Sequence, residues 1–489
     1  MSTATRGLKP YALWDIFSSI ARIPHPSRGE SALATHILDV VRSHGLEAIQ
    51  DDAGNVIVRK EAGPGRKGAP GVVLQAHLDM VCEKNGDSDH DFEKDPIRLH
   101  RDGDYITAVD TTLGADNGLG VAAALAVLLD RKLVHGPLEC VFTVDEEDGF
   151  TGVYALQPGV LRGRYLLNLD SEHEGLFCVG SAGGADTAFA LPTAREAAPK
   201  GHTPVGLVVG GLHGGHSGID IHLGRANAVK LLARTILRAI REQNVRLAAV
   251  SCGAKANAIP REAQAVLYVK DRQLERFRKC VVEMQDVLRG EYGPVDPGLE
   301  LGILPAEPVQ GGTVFKKRAQ QALLRLLYAL PHGVQSRTPG KEELVETSMN
   351  VASVVTEPAE VRLVTSQRSS SKSALENLLT TLDLIGEMAG ATVVHANPYL
   401  GWTPNFASPL LGIAFDCYRE MFDREPGVET MHAGLECGVV SMKYPAMDML
   451  SFGPTIQSVH TPRERVEIAS VLRFWDFLVG LLEKLSRCD

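Results

Sequence analysis

No apolar run in the 489-residue sequence approaches the ~18 residues that a membrane-spanning helix requires. The opening stretch, Met1 to Pro10, lacks the basic-then-apolar order of a secretion signal. The eight cysteines are dispersed, with no Cys-x-x-Cys pair and no clustered framework, so reduced thiols and a cytoplasmic location are expected. Positive charge is also in short supply: 50 Lys and Arg against 60 Asp and Glu leave a formal charge of -10. That balance argues against nucleic acid and anionic membrane as main partners. There is no Gly-x-Ser-x-Gly elbow and no His-Glu-x-x-His helix. The glycine-rich Gly63–Gly68 lacks the Gly-Lys-Ser/Thr ending of a phosphate loop. Serine-nucleophile, single-helix zinc and phosphate-loop chemistries therefore fall away.

What is present is a soluble globular composition, 44% hydrophobic and 22% charged, in a chain long enough for two or three domains. The informative stretch runs from Gln75 to Glu147. An apolar run delivers His77-Leu78-Asp79. Asp110 to Gly118 follows, and Asp116 there precedes the apolar helical run Gly118–Leu129. A strand, Cys140–Val144, leads into Asp145-Glu146-Glu147, and another, Tyr165–Leu169, leads into Asp170-Ser171-Glu172. Acidic and imidazole groups thus stand repeatedly just past apolar runs, where open α/β sheets place their ligands. Ser27 with Glu30, and Thr461-Pro462 with Glu464, read as capping boxes opening helices.

From about residue 187 a pattern of helix, two strands and helix recurs twice, suggesting a duplicated α+β unit inserted into the first domain. The first copy includes a helix at 226–240 and strands at 246–251 and 263–269. The second includes a helix at 313–330, strands at 349–355 and 360–366, and a helix at 372–388. The expected division is 1–186 with 397–489 as one domain and 187–396 as the insert.

His77, Asp116, Glu147, Asp170 and His460 make two three-ligand cation sites if one carboxylate bridges, and Asp116 is the choice for the bridge. Asp79, two residues from His77, can accept a hydrogen bond from the non-ligating imidazole nitrogen. Glu146 is placed to take a proton from an activated water. Taken singly, His-x-Asp is usually structural and Glu-Glu usually solvated surface; only the joint pattern points to a metal-activated water.

The segments Gln75–Lys84, Thr112–Gly118, Thr143–Glu147, Asn168–Glu172, Gly214–Gly218, Asn257–Glu262 and His432–Gly438 resemble the cytosolic non-specific dipeptidases. These are also called aminoacyl-histidine or Xaa-His dipeptidases, and they belong to the zinc clan of aminoacylases, carboxypeptidases and tripeptidases. The resemblance implies an α/β zinc-peptidase domain with a central mixed sheet, split by an α+β lid of two pseudo-repeated units that dimerises. It implies two Zn(2+) per subunit, with Mn(2+) or Co(2+) as possible substitutes, and unblocked dipeptides as substrates. It carries His77, Asp116 and Asp170 to one zinc and Asp116, Glu147 and His460 to the other. Glu146 becomes the general base and Asp79 the orienting group. His216 is carried to the oxyanion and Asn257 to the substrate's carbonyl or carboxylate. Arg368 is a candidate clamp for the C-terminal carboxylate, and Glu436 for the substrate ammonium or the zinc surroundings. Two other readings stand beside this one: a clan amidohydrolase acting on N-acyl amino acids, and a metal-binding or assembly protein without turnover.

Overall fold

The computed structural model describes residues 3–253, 255–309 and 311–488, and the chain divides into two compact units. The first comprises Met1–Gly180, Pro404–Glu429 and Leu435–Asp489; the second comprises Ser181–Thr403 and Thr430–Gly434.

The first unit opens with helices α1 (Tyr11–Ile20) and α2 (Ser31–Ser43), then strands β1 (Glu47–Gln50), β2 (Val56–Lys60) and β3 (Val72–His77). Strands β4 (Leu99–Asp102) and β5 (Tyr105–Ala108) precede α3 (Ala115–Leu129), β6 (Leu138–Thr143), β7 (Tyr165–Asn168) and β8 (Leu176–Ser181). Strand β3 is buried along its whole length, because it is central and covered on both faces. It pairs in parallel with β6 and β7, with His77 opposite Thr143 and Gln75 opposite Asn168. Their carboxyl ends, with the loops that follow, therefore share one edge. Helix α3 is apolar all round and buried from Ala115 to Leu128 except at Asp116. Each fully buried Leu or Val there contributes about 1.5–3 kcal/mol relative to exposure.

The second unit is built on a long antiparallel sheet. Its main elements are β9 (Gly183–Pro192), β10 (His202–Gly210), α4 (Ala228–Gln243), β11 (Arg246–Cys252), β12 (Ala263–Lys270) and α5 (Leu274–Tyr292). They continue with β13 (Glu300–Pro305), α6 (Lys317–Ala329), β14 (Gly333–Thr338), β15 (Lys341–Thr356), β16 (Glu360–Ser369), α7 (Lys372–Ala389) and β17 (Thr392–Tyr399). The sheet order is β13-β10-β12-β11-β15-β16-β9-β17, with β14 on β15. The expected helix start at Thr313 is corrected: Thr313–Phe315 is a short strand paired with Arg195–Ala197, and the helix begins at Lys317. The β-branched Thr313 and Val314 with aromatic Phe315 favour that extended pairing.

The chain then adds α8 (Pro409–Phe422), β18 (Gly427–Met431), α9 (Cys437–Lys443), β19 (Asp448–Ser451), β20 (Ile456–Gln457), β21 (Arg465–Glu467) and α10 (Ile468–Leu485). The first unit's sheet has the order β1-β2-β6-β3-β7-β19-β8-β18, and β20, β21, β5 and β4 form a smaller one. The mixed α/β sheet architecture agrees with the expected fold class.

Neither expected capping box forms. Helix α2 starts at Ser31 without a side-chain cap, and α10 starts at Ile468. Ser27 and Glu30 bond elsewhere, as does Glu464, because each finds buried partners far along the chain.

Candidate active site

The turn before α3 requires Gly114 at φ +67, where a Cβ would also lie 2.9 Å from the Met80 sulfur. This turn presents Asp116, whose backbone, like that of Asn117, is not yet helical. The Asp116–Asn117 peptide is cis.

Asp116 reaches two imidazoles at once. Its Oδ1 lies 3.1 Å from His77 Nε2, and its Oδ2 lies 3.3 Å from His460 Nε2. His77 Nε2 is also 3.3 Å from Asp170 Oδ1, and His460 Nε2 is 3.0 Å from Glu147 Oε1. Two groups result, His77 with Asp116 and Asp170, and Asp116 with Glu147 and His460; in each the ligand atoms lie within 4.8 Å of one another. A third such group joins His77, Glu146 and Glu147. All five expected ligands and Glu146 are therefore brought together, although His460 follows them by hundreds of residues.

Asp79 does more than the sequence suggested. Its Oδ1 lies 3.4 Å from His77 Nδ1, while the Asp79 carbonyl is closer to that nitrogen, at 3.0 Å. The same carboxylate accepts the backbone N–H of Glu146 at 3.0 Å and of Glu147 at 3.1 Å, and the Ser27 hydroxyl at 2.8 Å. It thus ties the strand end that bears His77 to the two glutamates.

The electrostatics are those of a crowded acidic pocket. Burial, with the charges of Glu147 and Asp170, pushes the Glu146 carboxyl well above its usual range against the pull of His77. Burial likewise raises Asp170 to about 7 and Glu172, which faces the same groups, to about 8. Burial opposes a charged Asp116, yet hydrogen bonds with His460 and His77 hold it below the usual carboxylate range. Burial also disfavours a charged His460, but its bonds to Asp116 and Glu147 raise it to about 11. The positive groups facing these carboxylates are the two imidazoles. Clustered oxygen and imidazole donors with an excess of buried negative charge fit divalent cations, which such charge stabilises.

Several supporting residues escaped sequence reasoning. Asn117 Nδ2 donates to Asp170 Oδ1 at 2.6 Å. Glu30 accepts the Asp145 N–H at 2.9 Å, and Glu464 accepts from the turn that carries Asp116. Glu436, which the sequence did offer as a candidate, accepts from Gln75 and, at 2.6 Å, from Thr143, while Gln75, which it did not, accepts from Asn168. Glu436 is fully buried, and burial raises it to about 8. The signal was available: Gln75 and Asn168 are polar residues inside otherwise apolar strands, and such residues need partners.

The other candidates lie in the second unit. His216 pairs across a two-residue bridge with Ala258, just after Asn257, which is exposed. His216 Nδ1 accepts the N–H groups of Gly218 at 3.2 Å and Ile219 at 3.0 Å, so the ring proton belongs on Nε2. Arg368 is buried and donates through Nη1 to the Tyr399 hydroxyl at 2.7 Å, while its buried Nε has no hydrogen-bond partner. A Cβ on Gly218 would come within 3.1 Å of that Nε and 2.2 Å of the His432 carbonyl, so the His216 loop packs closely on both.

This fold and cluster define a peptidase: the chain matches, over residues 73–484, and belongs to, Peptidase family M20/M25/M40. Cytosol non-specific dipeptidase of Escherichia coli (strain K12) is 41% identical over 478 residues, 98% of each chain. The crystal structure of aminoacylhistidine dipeptidase from Vibrio alginolyticus aligns with TM-score 0.88 at 41% identity, covering 99% of this chain and 98% of that one. A tripeptidase from Staphylococcus aureus subsp. aureus Mu50, 14% identical with TM-score 0.58 over 98% of this chain and 100% of that one, shares the fold. Among the described residues no helix is long and apolar enough to cross a membrane.

Proposed function

We propose that the protein is a dinuclear-zinc dipeptidase that hydrolyses the peptide bond of unblocked dipeptides, broad in side-chain tolerance and including Xaa-His substrates. His77, Asp116 and Asp170 would hold one cation, and Asp116, Glu147 and His460 the other, with manganese or cobalt able to replace zinc. When bound, such cations would supply Lewis acidity for the scissile carbonyl and would lower the pKa of a water. The observation that carries this reading is Asp116, which directs one carboxyl oxygen to each imidazole.

Glu146 takes the proton from the attacking water and passes it to the leaving amine, a task suited to a carboxyl whose proton affinity burial has raised. Asp79 fixes the Glu146 backbone and the His77 ring, so that base and ligand keep one geometry. In the second unit, which we read as lid and dimerisation domain, His216 donates from Nε2 to the developing oxyanion. Asn257 contacts the substrate carbonyl, and Arg368 pairs with the C-terminal carboxylate through its unpartnered edge. Glu436, buried and bonded through Oε2 to Gln75 and Thr143, supports the ligands rather than meeting the substrate ammonium.

The test uses a dipeptide panel with zinc-loaded protein. Wild type should hydrolyse it, lose activity with chelator, and reject the same peptides once N-acetylated. Glu146→Gln should bind zinc normally and lose about 10²–10⁴-fold in kcat. Preference for the acetylated substrates would favour an acyl-amino-acid hydrolase. A chelator-resistant rate shared by both proteins would remove the mechanism.

A further inference from the structure

Glu464 is a fully enclosed carboxylate, 3% exposed, that satisfies itself on backbone alone. Its Oε2 accepts the N–H groups of Leu113 at 2.8 Å and Gly114 at 3.2 Å, and its Oε1 those of Ala115 at 2.9 Å and Asp116 at 3.4 Å. These four donors form the turn that presents Asp116. Glu464 itself stands four residues after His460, at the far end of the hairpin loop between Gln457 and Arg465, which pair in β20 and β21. Its N–H closes a turn on the Thr461 carbonyl at 3.0 Å. The side-chain bonds of Thr461 remain inside the loop, to Ser458 O and from Arg463 N. His460 has a φ of 59° and a side chain 47% exposed, so burial holds it weakly. His77, by contrast, ends the central strand β3, and Asp170 follows β7 and is held by Asn117.

We propose that Glu464 is a positioning residue that locks the His460 loop to the Asp116 turn. The cation site of Asp116, Glu147 and His460 then depends on Glu464 far more than that of His77, Asp116 and Asp170. This rests on the dinuclear reading above. The four bonds offset part of the desolvation of the carboxylate and hold two ligands from distant parts of the chain in one register. Glutamine at this position fills the same space but turns an NH2 toward two of the amide donors, so it releases the clamp without emptying the site.

The experiment titrates metal-free full-length wild type, Glu464→Gln and His460→Ala with Co(2+), following the absorption spectrum and a chromophoric chelator in competition. Wild type should take up two cations. In Glu464→Gln the second should bind about 10–100-fold more weakly, with the first within about threefold, reproducing the pattern of His460→Ala. A destabilised variant at the opposite end of β6 from the ligands, Glu139→Gln, which weakens the bonds from the Arg162 and Gly163 N–H groups, should retain both cations at wild-type affinity, which separates positioning from loss of stability. Should Glu464→Gln not fold, Glu464→Asp, shorter by one methylene, carries the same expectation. Equal weakening of both cations, or two cations bound as in wild type, overturns the proposal. Fewer than two cations in wild type removes the dinuclear reading itself.

Discussion

Glu174 stands outside the cation cluster, yet it is the charge whose loss the fold should feel most plainly. Its carboxylate accepts from the Tyr418 hydroxyl at 2.5 Å, Arg424 at 2.8 Å and Arg473 at 2.7 Å, and its side chain is 5% exposed. Burial raises its proton affinity, but these three donors outweigh burial and hold the carboxyl below its usual range. A carboxylate depressed in the folded state stabilises above its unfolded pKa and loses that contribution as pH falls through the folded value. Glu174→Gln should therefore cost about 1–2 kcal/mol at pH 7, since Arg424 loses its charge partner and Arg473 keeps only Glu467, while the half-exposed Arg424 recovers part of the loss from water. The gap between variant and wild type should close as pH drops below about 4.5. Urea unfolding of both proteins at several pH values measures it, and a pH-independent gap would exclude the charge as its origin.

At the scale of elements, the start of α4 shows what a true cap looks like here. Asn227 Oδ1 accepts the N–H groups of Val229 at 3.0 Å and Lys230 at 3.3 Å, while its Nδ2 donates to the Val351 carbonyl of β15 at 2.8 Å. One buried amide thus ends a helix and fastens it to the sheet. Asn227→Ala should lose about 1–2 kcal/mol for the cap, and more for the Val351 carbonyl left unpaired, in equilibrium unfolding. Asn227→Asp, which keeps the cap acceptor alone, should recover only part of it.

Most helices and strands, the α/β core and four of the five clustered donors were legible in the sequence, because His77, Asp116, Glu147 and Asp170 each follow an apolar strand or begin a buried helix, whereas His460 stands in a hairpin loop with no such mark. The supporting shell was not. Ser27 with Glu30, and Thr461 with Glu464, have the spacing of a capping box, but Ser27 reaches Asp79, Glu30 reaches Asp145, and Glu464 reaches Leu113. A spacing of three residues specifies a local hydrogen bond only when no buried donor competes for the carboxylate. That competition is set by tertiary packing, which local pattern does not encode. Asn117 was hidden for a similar reason: nothing in its place just before the apolar run Gly118–Leu129 marks the non-helical backbone that turns its amide toward Asp170.

At the scale of the molecule, the two units carry separate hydrophobic cores. One includes Trp14, Phe142, Phe177 and Phe474; the other includes Phe189, Phe277, Phe315 and Leu382. Every proposed cation ligand lies in the first unit. If each core unfolds as its own cooperative block, calorimetry resolves two transitions. A ligand that binds only the folded form stabilises by RT ln(1 + [L]/Kd), about 2.7 kcal/mol at a hundredfold excess over Kd. For a block of this size, each kcal/mol moves the midpoint by about 2–4 °C, so zinc removal should lower the first unit's transition by about 5–11 °C for each of the two cations lost. The second unit's transition should stay in place, because none of its residues is asked to hold the ions. His460→Ala should reproduce part of the shift even in excess zinc. A chelator that moves both midpoints equally would show that the two cores melt as one block.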